Sequence, residues 1–317
     1  MNLEKYAFVR GFNYQPPWGS NGRDIWLKFD ANEYRRIIVC AKNAFPKLNV
    51  LRIWLSFDAW LENSDRCIEN LSHAGKIIAS EGLKFIPVYF NGWRSIPDFG
   101  GFTSETLGMV EGNNWEPYRT YLKQACAILE ESGALLIHDI CNEPYNTVGN
   151  SSEGHRIVTA FLSAMAEELH TNSSLPVTVG SQGYAFEKPI NGCISDIEML
   201  SPFIDVVSIH PYSMWSGPLC EHREYLAKTL KLAEKTDKPI LVTECCWDGP
   251  SDKARGEIAD TEFKNYKEAG IGFIAHALST SGVADLHPKD AKNPLGYMIF
   301  MNLDGSIRQY HECFNKY

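Results

Sequence analysis

Two glutamates sit in contexts that suit them to act as a pair. Glu143 lies in HDICNEPYN and Glu244 in LVTECCWDG, each where a short apolar run gives way to polar residues. Glycoside cleavage needs one carboxyl group kept protonated for the leaving oxygen. It needs a second kept ionised to attack the anomeric carbon, and a retaining mechanism holds the two about 5 Å apart. A single Glu in such a place reads first as a solvated loop carboxylate. Two of them, each at the end of a strand-like run, read as chemistry. Arg52 interrupts the apolar run LRIWLSF. A buried guanidinium requires an anion, and Glu244 is the natural candidate, because a cation beside a carboxylate keeps it ionised. The other reading of Arg52 is an ion pair on the outside of the fold. No cation neighbours Glu143 in sequence, and partial burial of such a carboxyl favours the protonated form that a general acid needs. His210, in IHPY, either lines the same cleft or is a core histidine satisfied by backbone. The nine histidines form no HxH or HExxH pattern, so neither a metal site nor a cofactor is expected.

These residues need a scaffold that gathers strand ends. Eight apolar runs read as strands, over 6–14, 50–57, 84–90, 135–141, 176–180, 205–210, 239–244 and 272–278. They are nearly continuously apolar, as parallel strands buried on both faces should be. Helical patterns fill the gaps, over 30–44, 64–80, 117–131, 154–170, 191–200, 219–235 and 252–269. Asp30 with Glu33 resembles a capping box, and Gly82 a left-handed helix cap. Eight strands alternating with helices over 317 residues predict a (β/α)8 TIM barrel, one α/β domain spanning 1–317. No GxGxxG follows the first strand, which counts against a dinucleotide fold. In a barrel of this kind the site lies at the C-terminal strand ends. Glu143 falls at the end of strand four and Glu244 at the end of strand seven.

The pattern resembles clan A glycoside hydrolases, most closely the family 5, cellulase-like members. The resemblance rests on Asn142-Glu143-Pro144 after strand four, Glu244 after strand seven, His210-Pro211-Tyr212 after strand six and Arg52 in strand two. It implies that Glu143 is the acid/base and Glu244 the nucleophile. It also implies that Asn142 bonds the sugar 2-hydroxyl, that Arg52 and Tyr212 hold the nucleophile ionised, and that His210 lines the cleft. Two positions depart from the family. A His is usual near the end of strand three, where this chain offers Tyr89, Asn91 and Trp93. A Trp is usual at the end of strand eight, where it offers His276.

Trp18, Trp60, Trp93, Trp215 and Trp247 each follow a predicted strand end, where rigid aromatic faces can stack on sugar rings or simply cap the core. Trp26 and Trp54 read as core. The long stretch 91–114 and the stretch 279–297, with Asp285, His287 and Asp290, are candidate cleft walls. Asp304-Gly305 reads as a hairpin turn.

The net charge of −9 comes with no Lys/Arg run, so nucleic acid is not an expected partner. No apolar stretch reaches the length of a membrane span, and no secretory h-region opens the sequence. A cytoplasmic location is expected. The nine cysteines, without a CxxC pair, read as buried reduced thiols, with a catalytic thiol at Cys245 or Cys246 as the rival reading. The sequence thus predicts a retaining β-glycoside hydrolase acting on an oligo- or polysaccharide of the cellulase or mannanase substrate class. Its rivals are a transglycosylase on the same scaffold and a barrel that binds carbohydrate without turnover. The oligomeric state is not legible.

Overall fold

A computed structural model describes residues 3–93, 101–109, 114–148, 151–181, 189–212, 219–246, 249–283 and 298–317. Eight parallel strands close into a barrel in sequence order, β1 pairing with both β2 and β8. They are β1 (Arg10–Tyr14), β2 (Val50–Trp54), β3 (Lys84–Asn91), β4 (His138–Asn142), β5 (Val177–Ser181), β6 (Val207–Ile209), β7 (Ile240–Val242) and β8 (Gly272–Ala275). The helices between them are α1 (Gly22–Leu27), α2 (Ala31–Ala44), α3 (Phe57–Glu62), α4 (Ser64–Ser80), α5 (Ser104–Gly108), α6 (Glu116–Glu130), α7 (Ser152–Asn172), α8 (Ile190–Leu200), α9 (Leu219–Thr236) and α10 (Asp252–Glu268). The expected TIM barrel is the observed fold. No described helix is long and apolar enough to cross a membrane.

Six strands, β1, β2, β4, β6, β7 and β8, are shorter than the apolar runs implied. Leu3–Tyr6 forms a 3-10 helix that leads into β1 and takes Tyr6 out of the expected strand. The run after β2 is cut at Ser56, whose hydroxyl caps Ala59 N–H and opens α3. Residues 135–137 precede β4 and bridge to β3 at Phe85–Leu135. Asp30 caps α2 by accepting from Asn32 and Glu33 N–H, but the Glu33 carboxylate turns to Arg36 rather than back to the cap, so only half of the box forms. Gly82 does adopt φ +73° after α4, and Gly305 φ +88° in a hairpin closed by a Met301–Ile307 bridge.

The lumen is layered as strand alternation requires. Val9, Val50, Ile86, Ile137, Val206, Leu241 and Ile274 form one buried apolar cluster near the N-terminal strand ends. Two residues further along come Arg52, Asp139, Ser208, Thr243 and His276, with Gly11 and Val88 the exceptions, so the next layers up are mainly polar. That switch from hydrocarbon to polar filling is what turns one mouth of the barrel into a site. The larger apolar cluster lies outside, between sheet and helices, and includes Phe12 stacked on Phe314 at 4.3 Å between centroids.

Candidate active site

Arg52 is the hub. It is fully buried, which excludes the outer ion pair as its role. Its Nη1 donates to Glu244 Oε1 at 2.6 Å and to Asn13 Oδ1 at 3.0 Å. Its Nε donates to Asp139 Oδ2 at 2.9 Å, and its Nη2 to Asn142 Oδ1 at 3.0 Å. The guanidinium also lies over the Trp54 ring, 4.5 Å from its centroid. Burial works against the Arg52 charge, but Asp139 and Glu244 together outweigh it and raise its pKa above the ordinary guanidinium value. The Asp139 carboxyl is pushed up by burial, against which Arg52 and the Gly180 N–H both pull. Gly180 is required here, since a Cβ at that position would stand 2.8 Å from Arg52 Nη2.

Glu244 lies two residues past the end of β7, and its second oxygen accepts from Tyr212 Oη at 2.5 Å. Burial, then Glu244 and Glu143, push the Tyr212 hydroxyl well above its usual range, so it remains a donor. Glu143 follows β4 in the left-handed region, φ 46° and ψ 56°. A non-glycine residue held there is under backbone strain, which in native proteins gathers at functional sites. Its Oε1 lies 2.7 Å from His210 Nδ1, and its Oε2 accepts from Asn146 Nδ2 at 2.6 Å. A register shift between Asp139 and Asn142 lets both side chains reach Arg52 although strict alternation would send them to opposite faces. The Gly92 turn after β3 packs on this corner, where a Cβ would meet Glu143 O at 2.4 Å. Asn91 Oδ1 accepts from Asn142 Nδ2 at 3.1 Å.

One oxygen of Glu143, one of Glu244 and a ring nitrogen of His210 all lie within 4.8 Å of one another. The two glutamates, 101 residues apart (244 − 143), therefore meet across a gap the size of one reacting centre. They meet it with different partners. A guanidinium and a phenol face Glu244. A neutral imidazole and an amide face Glu143.

His210 is fully buried, and burial pushes its pKa down to about 3, with Glu244 opposing and Arg52 adding to the shift. Its Nε2 lies 3.1 Å from Thr243 Oγ1. His311 is held at about 3 as well, by burial first and then by Arg255. Both rings are neutral when folded, and both protonate in the unfolded chain below their ordinary 6.5. Folding stability is then full above that pH and is lost as pH falls from about 6.5 towards 3, at about 1.4 kcal/mol per pH unit for each ring. Urea unfolding at pH 7 and pH 5 checks this. The His311→Gln variant should show the weaker pH dependence, and an unchanged dependence would refute the assignment.

The remaining expected site residues divide. Trp93 is 36% exposed beside Asn91. Trp18 packs edge-on against Phe29 and Tyr34, with its indole N–H on Ile25 O at 3.1 Å, and so serves the packing of α1 and α2. Trp60 stacks on Phe57 and donates to Gln124. Trp215, Trp247, Asp285, His287 and Asp290 lie outside the described residues. Trp54 is buried, as read, yet it is the floor of the site, between Arg52 and an edge-on His276 ring at 5.8 Å. Asp139, Asn13, Asn146 and Thr243 were missed. Asp139 carried a usable signal, a charge inside an apolar strand, the same signal that marks Arg52. Cys245 and Cys246 are buried, with both thiol pKa values raised by burial, which suits neither to be a nucleophile.

No sequence-family profile matches the chain, and no curated protein matches it in sequence. Solved structures do resemble it. The exo-β-1,4-mannosidase of an Opitutaceae bacterium superposes with TM-score 0.72 at 16% identity, covering 100% of this chain and 61% of that one. The endo-1,4-β-mannanase of Rhizomucor miehei gives 0.68 at 15%, covering 98% and 95%. A family 5 protein of Bifidobacterium longum, solved with Manβ1-4GlcNAc, gives 0.67 at 14%, covering 96% and 76%. The barrel architecture is common to all of them.

Proposed function

We propose that this chain is a retaining β-glycosidase acting on a β-linked oligo- or polysaccharide, with β-mannosides as the leading substrate class. The observation that carries the reading is that a Glu143 oxygen and a Glu244 oxygen stand no more than 4.8 Å apart, the close approach of a retaining pair and short of the ~6.5–9.5 Å that an inverting water needs. The mannoside preference rests on the names of the structural neighbours. Glu244 attacks the anomeric carbon as Glu143 protonates the departing oxygen, so the C–O bond to the leaving sugar breaks as the bond to Glu244 forms. Glu143 then takes a proton from water, whose oxygen displaces Glu244 and releases the sugar. Arg52 and Tyr212 pair with the ionised form of Glu244. The Asn142 amide is held at both ends, by Arg52 and Asn91, which fixes its remaining N–H for the sugar 2-hydroxyl. His210, neutral, positions Glu143. Trp93, Trp215 and Trp247 are the aromatic surfaces offered for sugar stacking, Trp93 first among them by its exposure, while Trp18 is taken up by packing.

Aryl β-mannosides and β-glucosides are expected to be hydrolysed, and proton NMR of the first-formed sugar should show the β anomer. A first-formed α anomer would overturn the retaining mechanism. Absence of turnover on every aryl β-glycoside and on mannan oligomers would leave a non-catalytic carbohydrate-binding barrel.

A further inference from the structure

His138 opens β4, one residue before Asp139. Because Asp139 points into the lumen, strand alternation turns His138 outward to the helix layer. There its buried ring meets α6 and the residue that ends α7. Its Nδ1 lies 2.8 Å from Tyr89 Oη. Its Nε2 lies 3.1 Å from Glu130 Oε1, 2.9 Å from Ser173 Oγ and 3.9 Å from Cys126 Sγ. Cys126 and Glu130 are four residues apart on α6 and share a face, with Sγ and Oε1 3.8 Å apart. The glycosidase chemistry uses none of these groups. His138 and Glu143 are five residues apart, ~16 Å of strand.

We propose that Cys126 Sγ, Glu130 Oε1 and His138 Nε2 form a binding site for one zinc-like divalent cation, with a water as fourth ligand. Thiolate, carboxylate and imidazole are the three ligand types such an ion takes. With the usual zinc bond lengths, a tetrahedron has edges of about 3.5 Å for S···N, 3.5 Å for S···O and 3.3 Å for N···O. The corresponding separations are 3.9, 3.8 and 3.1 Å, so shifts of a few tenths of an ångström complete the site. A plain hydrogen-bond cluster of Tyr89, His138, Glu130 and Ser173 would need no sulfur. Sulfur is a weak donor, and its two hydrogen bonds here, at 3.8 and 3.9 Å, are long ones that lie near the edge length of a coordination shell. Tyr89 supplies the outer partner that ligating histidines have, since Nδ1–H donating to its oxygen leaves the Nε2 lone pair for the metal. Access is from solvent past Glu130, whose side chain is 32% exposed, while Cys126 and His138 are closed in.

Binding replaces the Cys126 S–H bond by S–metal, and the proton leaves to solvent. Burial, then Glu130, push that thiol up to about 12, so the metal-free site holds it protonated. The bound thiolate and carboxylate balance the two positive charges of the ion. The ion ties the start of β4 to α6, and β4 is the strand that Glu143 follows. Its role is structural and separate from the reaction.

The test uses the full chain, stripped with a chelator and titrated with cobalt(II). A thiolate-to-cobalt charge-transfer band saturating at one equivalent is expected, with zinc displacing it and raising Tm. Cys126→Ala should abolish the band. Glu130→Gln should weaken binding by about tenfold or more. Cys246→Ala should keep the band, since it removes a thiol of the separate Cys245, Cys246 and Glu262 group. Circular dichroism of each variant shows that it is folded. No band at stoichiometric cobalt, or a band that survives Cys126→Ala, overturns the proposal.

Discussion

Glu244→Gly should lower kcat on an aryl β-glycoside by on the order of 10⁴-fold or more, and azide should restore turnover. The substitution removes the attacking oxygen but leaves Arg52 and Tyr212 in place, donors that faced an anion 2.6 and 2.5 Å away. A small anion fits the vacated volume and meets the same cation. It then attacks from the face that Glu244 occupied, so the product should be an α-glycosyl azide, identified by NMR. Glu143→Gly removes the proton donor from the other face, and azide added to that variant should give the β-azide. A β product from the Glu244 variant would mean that the two roles are exchanged.

Arg52→Met should cost about 3–5 kcal/mol of stability, because it leaves two acids, Asp139 and Glu244, around a buried space without their shared cation. Activity should fall with it. The acid limb of the kcat/KM profile should move to higher pH, since a carboxylate that loses a neighbouring cation is neutralised over more of the pH range. Urea unfolding at pH 7 and a pH–rate series measure the two effects. A Tm and a pH profile like those of the wild type would show that the guanidinium does not hold this centre together. Replacing Asp139 as well, by a neutral residue of similar volume, should recover part of the stability, since breaking a buried pair costs more than removing it whole.

The barrel was legible because parallel strands buried on both faces must be apolar throughout, a pattern that survives without any particular residue. The ends of those strands were legible where polarity breaks in, at Asn142-Glu143 and at Glu244. Arg52 was legible because a charge inside such a run demands an explanation. Less was legible where local backbone geometry decides. LSF reads as continuing β2, but the Ser56 hydroxyl turns the chain into α3. The register shift in β4 leaves no mark in residue type, so the convergence of Asp139 and Asn142 could not be read from alternation. Tryptophans were the weakest guide. Position after a strand end does not say which way a ring faces, and Trp18 and Trp60 turned to their helices while Trp54, assigned to the core, became the floor of the cleft.

The extra residue accommodated in β4 also limits what genetic change this barrel can absorb. Loops can lengthen or shorten without disturbing the strand ends. A codon gained between 139 and 142 would add a second unpaired residue where one is accommodated, and would turn Asn142 off the face that Arg52 occupies. The chain would keep its shape and forfeit its chemistry, so this short stretch should resist insertion even where its neighbours drift freely.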